Sequence, residues 1–309
     1  MTEMRRLGLA RMVPCLWLVG CLLALVACGD DQSAYVAEVD AWHAERLEKL
    51  RSDTGWLTLV GLHPLGHGEN NLGSGTDNDV VMTSAAPLRL GTVTITGEKA
   101  SFEVATGVML NIERGGDGEV EAFTGGEIDT DAAGVPDKLM TGSLVFYVIQ
   151  RGEKFFLRVK DRQSEVYTNF QGIERYPVER RWRVEAQLTG EPGTIRVANV
   201  LGQVSLEKTP GTLVFTIEGV TYRLRPTGSA DESLFLVFGD ATNGRGSYPG
   251  GRFLVTGVPD KEGKVIIDFN QSYNPPCTFT DYATCPLPSL DNRLDIAVTA
   301  GEKVWGTGH

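Results

Sequence analysis

Apolar positions follow three different patterns along this chain. Residues 12–27 form a short apolar run, broken by Pro14 and Gly20 and preceded by Arg5, Arg6 and Arg11. Over 35–51, Tyr35, Val39, Trp42, Leu47 and Leu50 recur near helical spacing, with Glu38, Glu45, Glu48 and Lys49 between them. That spacing predicts one amphipathic helix. From Trp56 onward the pattern is that of strands. Segment 56–60 reads as the first, and 77–82 leads into another. Segments 92–95 and 101–104 alternate across a Gly97 turn, and 108–112 follows. Segment 113–137 is rich in glycine and acids and reads as rim strands and loops. Further on, 143–150 and 154–160 flank Arg151-Gly152, a hairpin signal. Segments 181–187, 194–206, 213–217, 221–224, 234–238, 252–256 and 264–269 continue the series, and 294–299 is placed to close it. The expected fold class is all-β: an N-terminal helix, a β-sandwich-like segment, then an antiparallel β-barrel or sandwich.

The N-terminal run ends in Leu25-Val26-Ala27-Cys28. A charged start, an apolar middle and a small-residue cleavage point form the grammar of a secretory signal. A cysteine directly after that small residue resembles a bacterial lipobox. The resemblance implies cleavage before Cys28, lipidation of its sulfur, and export. The apolar run is short for a membrane span. The chain then divides into a signal segment 1–27, a tether 28–33, a helical segment 34–55, a sandwich-like segment 56–137 and an antiparallel β segment 138–309. Gly29, rather than an Asp, follows the lipid site. In a host with two membranes this points to the outer membrane, facing the periplasm.

Charge narrows the partners. Segment 1–27 carries a net +2, so its removal takes the formal charge from −11 to −13. An acidic body repels nucleic acid and anionic headgroups, which leaves the membrane to be reached through the lipid anchor alone. An envelope protein or a small molecule remains as partner. Of five cysteines, Cys28, Cys277 and Cys285 lie beyond the signal segment. In an exported chain the last two are expected to form a disulfide; zinc is the alternative, although two thiols do not complete its shell.

The C-terminal third carries a recognisable series. Tyr248-Pro-Gly-Gly-Arg252, Asp268-Phe-Asn270, Tyr273-Asn-Pro-Pro-Cys277, Tyr282, Cys285-Pro-Leu-Pro288 and Asn292-Arg-Leu294 stand in order. Together they resemble the family known as domain of unknown function 1684. Arg158-Val-Lys-Asp161 and Phe170-Gln-Gly-Ile-Glu-Arg-Tyr-Pro177 share the likeness, as does the segment opening at Trp56. The resemblance brings no assigned activity. Within 56–112, Leu59-Val-Gly61, Asn71-Leu-Gly73 and Asn78-Asp-Val-Val-Met82 resemble the opening of a forkhead-associated domain, a β-sandwich whose loops bind phosphothreonine. The phosphate-gripping arginine of that family is replaced here by Ser74. Its charge-assisted bonds are therefore missing, and phosphopeptide binding is not expected.

Catalytic motifs are sparse. The sequence holds no phosphate-binding loop, no dinucleotide glycine motif, no Cys-x-x-Cys and no serine elbow followed by a suitable histidine. No cofactor is indicated. His63 and His67 flank Pro64-Leu-Gly66, a turn rather than a helical ligand pair. The densest polar group is Asp240, Tyr248, Arg252, Asp268, Asn270 and Tyr273. If strands 234–239, 252–256 and 264–269 are hairpin neighbours, these side chains lie on one side of the sheet. Carboxylates there can act as acid or base, and Arg and Tyr can orient an anion or sugar. The same residues also serve as turn pins and barrel-end locks. Two function classes follow: a binding or scaffold lipoprotein of the cell envelope, and an envelope hydrolase using that cluster.

Overall fold

A computed structural model describes residues 16–116 and 118–306. The signal segment 1–27 and the lipidation expected at Cys28 lie outside the described side chains. Beyond one long helix and a helical turn at Glu165–Thr168, the secondary structure is strands and short 3-10 turns. The all-β reading holds.

The helix runs Leu16–Leu50 and includes the segment expected to be a tether. Near its middle it is held by Arg180, whose guanidinium donates to the Asp31 carbonyl at 2.6 Å and pairs with its carboxylate at 2.8 Å. Tyr35, Val39, His43 and Leu50 are buried, so the buried stripe keeps the helical spacing. The stripe also takes in His43, a polar residue.

Two sheets follow. A six-stranded antiparallel sheet has the order Leu59–Leu65, Lys154–Asp161, Leu144–Arg151, Lys138–Thr141, Leu110–Glu113, Val120–Phe123. A five-stranded sheet has the order Val80–Val81, Gly68–Gly73, Gly91–Thr96, Lys99–Val104, Gly125–Ile128, with a parallel pair at its edge. Alternate residues of both, among them Leu72, Val93, Phe102, Ile112, Phe146 and Leu157, form one core. The division expected at 137/138 falls inside the six-stranded sheet, because Lys138–Thr141 pairs on both sides.

The C-terminal half differs from the continuous sheet expected. A four-stranded antiparallel sheet orders Val220–Leu224, Thr212–Ile217, Arg183–Thr189, Lys264–Asp268. Phe235–Phe238 and Arg252–Val255 form a separate pair, and Gly193–Ala198 with Val204–Thr209 a separate hairpin. Segment 194–206 is thus two strands turned at 199–203, where the Asn199 side chain accepts from the Leu201 and Gln203 amides. Strand Lys264–Asp268 pairs with Arg183–Thr189, not with Arg252–Val255. No closed barrel forms among the described residues. Segment 294–299 is irregular and contributes Leu294 and Val298 to a core with Trp182, Phe215, Phe238 and Phe269.

One glycine positions the residues that follow this irregular segment. Gly301 has φ +73°, and a Cβ there would lie 2.2 Å from the Ser272 hydroxyl and 2.3 Å from its carbonyl. Only glycine permits that approach. It delivers Ala300 to Arg252 on one side and Glu302 to Arg46 on the other.

Candidate functional site

The six residues singled out from the sequence separate into three groups. Arg252 and Asp240 form a salt bridge of 2.7 Å with neither side chain exposed. The guanidinium also donates to the carbonyls of Ala300 and Val298. Asp240 Oδ1 accepts from the Thr242 amide, the Thr242 hydroxyl and the Val298 amide. Both carboxylate oxygens are occupied within the buried pair. This pair locks segment 293–300 onto the strand pair.

Asp268 and Asn270 form the second group, away from the role expected of them. Asp268 ends its strand and caps the next turn by accepting from the Asn270 amide at 3.0 Å. Asn270 bonds the Glu179 main chain through both side-chain atoms, at 3.1 and 3.0 Å. Their common partner is Tyr35 of the helix. Its hydroxyl lies 2.9 Å from both Asp268 oxygens and accepts from Asn270 Nδ2 at 2.8 Å. Burial, and then the Asp268 charge, push the Tyr35 hydroxyl well above the usual phenol pKa. The helical spacing alone places Tyr35 only on the apolar face of the helix.

Tyr248 and Tyr273 form the third group, around the buried pair Cys277 and Cys285. Those cysteines are disulfide-bonded, with Cα atoms 6.2 Å apart. Burial raises the pKa of both tyrosine hydroxyls, with Asp281 adding to the effect on Tyr248. Tyr273 also lines an open cavity.

That cavity is a cleft of about 630 Å³ between the helix, the 52–56 turn and the strand pair. Six aromatic side chains line it: Trp42, Trp56, Phe235, Phe253, Tyr273 and Phe279. Phe235 and Phe253 meet edge to face at 4.9 Å, and Phe253 meets Tyr273 in the same way at 5.9 Å. Arg46 stands 4.3 Å over the Tyr273 ring. Its guanidinium is fixed from behind by Glu302, which is fully buried, with Nε to Oε1 at 2.6 Å. Arg46 Nη2 also donates to the Asn274 carbonyl, and the Asn274 amide donates to Glu302 Oε2 at 2.7 Å. The cationic wall is therefore rigid, while Glu45 and Lys49 form an exposed pair at the rim. An apolar, aromatic-lined cleft with a few convergent polar groups is the usual form of a small-molecule site.

A second groove of about 740 Å³ lies between the 193–209 hairpin and the 151–154 turn. Its wall carries Arg151, Glu153, Lys154 and Glu207, with one aromatic residue, Phe235. Among the described residues, no three His, Cys, Asp or Glu side chains are grouped as metal ligands. His67 packs edge-on against Phe155, and burial lowers the His63 pKa.

Residues 168–303 match the family described as protein of unknown function (DUF1684). The matched segment supplies Phe235, Phe253, Tyr273 and Phe279 of the cleft; the helix and Trp56 lie before it. The chain is also similar to an uncharacterized protein of Haloarcula marismortui solved by solution NMR. Identity is 31 %, the TM-score is 0.37, and the match covers 45 % of this chain and 80 % of the other. No curated protein matches the chain.

Proposed function

We propose that this chain is a lipid-anchored binding protein of the cell envelope, carrying its ligand in the aromatic cleft. The observation that supports this reading is the cleft itself: a concave, ring-lined cavity with one immobilised guanidinium. Its lining suits a small molecule with a flat or apolar body and a polar edge facing Arg46. The lipobox-like Leu25-Val26-Ala27-Cys28 supports an anchor at Cys28 and a place on the envelope, facing the periplasm in a host with two membranes. The acidic body argues against nucleic acid as partner. Sequestration of Asp240 and Arg252 removes the hydrolase reading's central groups.

The test has two arms. Protein incubated with envelope extract is examined by native mass spectrometry, beside the Phe253→Ala variant. A bound small molecule on the parent that is lost on the variant supports the cleft, and the same adduct on both refutes it. Fatty-acid labelling of cells is expected to mark the parent and not Cys28→Ser; equal labelling ends the anchor reading.

A further inference from the structure

Behind the cleft, strand Lys154–Asp161 carries two cations on one face, Arg158 and Lys160, two residues apart. Both are buried, with 8 % and 7 % of their surface exposed. Both stand over the same indole: the Arg158 guanidinium is 5.5 Å and the Lys160 ammonium 5.9 Å from the Trp56 ring centroid. Lys160 is also 5.9 Å from the Tyr147 ring.

Neither cation pairs with a carboxylate among the described residues. The acids nearby serve other bases: Glu113 bonds Lys138 at 2.9 Å and Asp53 bonds Arg162 at 3.6 Å. The Asp161 carboxylate accepts from the Gln163 amide. Lys160 donates to the Thr54 carbonyl, and Arg158 Nε is buried without a partner. Two like charges buried side by side are costly unless an opposite charge joins them. Their proximity shows in Lys160, whose pKa burial and then Arg158 lower to about 8. The ring faces of Trp56 and Tyr147 offset only part of this cost.

We infer that Arg158 and Lys160, backed by Trp56, form a binding site for a small oxyanion. A phosphate, sulfate or carboxylate group would accept from the unpartnered Arg158 Nε and from the two free ammonium protons of Lys160. Thr54, whose carbonyl holds Lys160, is exposed and marks the side from which the ion enters. The site does not rest on the cleft reading. Thr54 and Trp56 are nevertheless common to both, since they line the cleft as well.

The experiment titrates the purified full chain with sodium phosphate, sulfate and acetate, each against sodium chloride at matched ionic strength. Calorimetry and melting temperature are the readouts. Saturable binding above the chloride baseline is expected for at least one oxyanion, and the arms distinguish phosphate-like from carboxylate ligands. Arg158→Gln and Lys160→Gln are each expected to weaken that binding by about tenfold or more. A second readout needs no variant: the bound oxyanion slows acetylation of Lys160 in the parent, followed by peptide mass spectrometry. If all three anions match chloride, or if binding persists unchanged in both variants with Lys160 unprotected, the site does not exist.

Discussion

Tyr35 and Asp268 lie 233 positions apart and meet at 2.9 Å, joining the N-terminal helix to the end of a strand in the C-terminal sheet. The contact fixes the middle of the helix, and Arg46 with Glu302 fixes the part that lines the cleft. Two further pairs lie on the same face, Arg175 with Asp40 and Arg180 with Asp31. The helix is thus held by polar latches as well as by its buried apolar stripe.

Tyr35→Phe keeps the ring under Arg180, 4.9 Å away, and removes only the hydroxyl. Asp268 loses a partner while remaining buried, so a loss of about 1–3 kcal/mol is expected. Urea unfolding measures it. A change within experimental error would show that the hydroxyl contributes nothing to docking.

His43 makes the helix contact pH-sensitive. It is buried beside Arg46, Arg175, Asp40 and Glu302, with Glu302 Oε1 3.9 Å from its Nε2. Burial, then the two arginines, lower its pKa from 6.5 to about 4. The unfolded chain therefore binds a proton that the folded chain refuses between those values. The contribution is fully present above pH 6.5 and is lost as pH falls toward 4. Melting temperature should decline across this window, and His43→Gln should flatten the decline. An unchanged slope in the variant would remove His43 from the account.

The legible part of this fold was the part with local causes. The helix stripe from Tyr35 to Leu50, the Arg151-Gly152 hairpin and the pairing of Phe235–Phe238 with Arg252–Val255 all follow from period and turn chemistry. Asp240 follows the first strand of that pair and Arg252 opens the second, twelve residues on, so their meeting was legible too. Their burial was not, because it depends on Val298 and Ala300 arriving from an irregular segment. The cleft was hidden for the same reason: Trp42 and Tyr273 come together only once the helix docks. One local signal was available. His43 and Arg46 sit on the buried spacing of the helix, where a polar residue needs a distant partner.

The disulfide closes a short loop under Phe253 and Tyr273. Cys277 and Cys285 are eight positions apart and belong to the small cluster with Val237, Phe253 and Ala283. Loop-closure entropy for that length predicts a loss of about 2–3 kcal/mol in Cys277→Ser/Cys285→Ser. The loop wall bounds the cleft through Pro276 and Phe279, so ligand adducts should weaken along with stability. Thermal unfolding of parent and variant, with and without reductant, checks the first part. If reductant leaves the parent unchanged, the bond is dispensable.

Arg252 supplies the sharpest contrast between structure and chemistry. Removing it as Arg252→Met leaves Asp240 charged in a site with no exposure. Breaking one side of a buried pair typically costs about 3–5 kcal/mol. Adding Asp240→Asn should restore part of the loss. The amide carbonyl can still accept from the Thr242 and Val298 amides, which Asp240 Oδ1 holds at 2.8 and 3.2 Å, and no uncompensated charge remains. The double variant is therefore expected to be more stable than Arg252→Met alone, which simple additivity of two damaging changes does not allow. A locking pair gives this rescue in denaturant unfolding and leaves cleft binding intact in every variant that folds. If the double variant is less stable than either single one, the charge balance at Asp240 does not govern this corner of the fold.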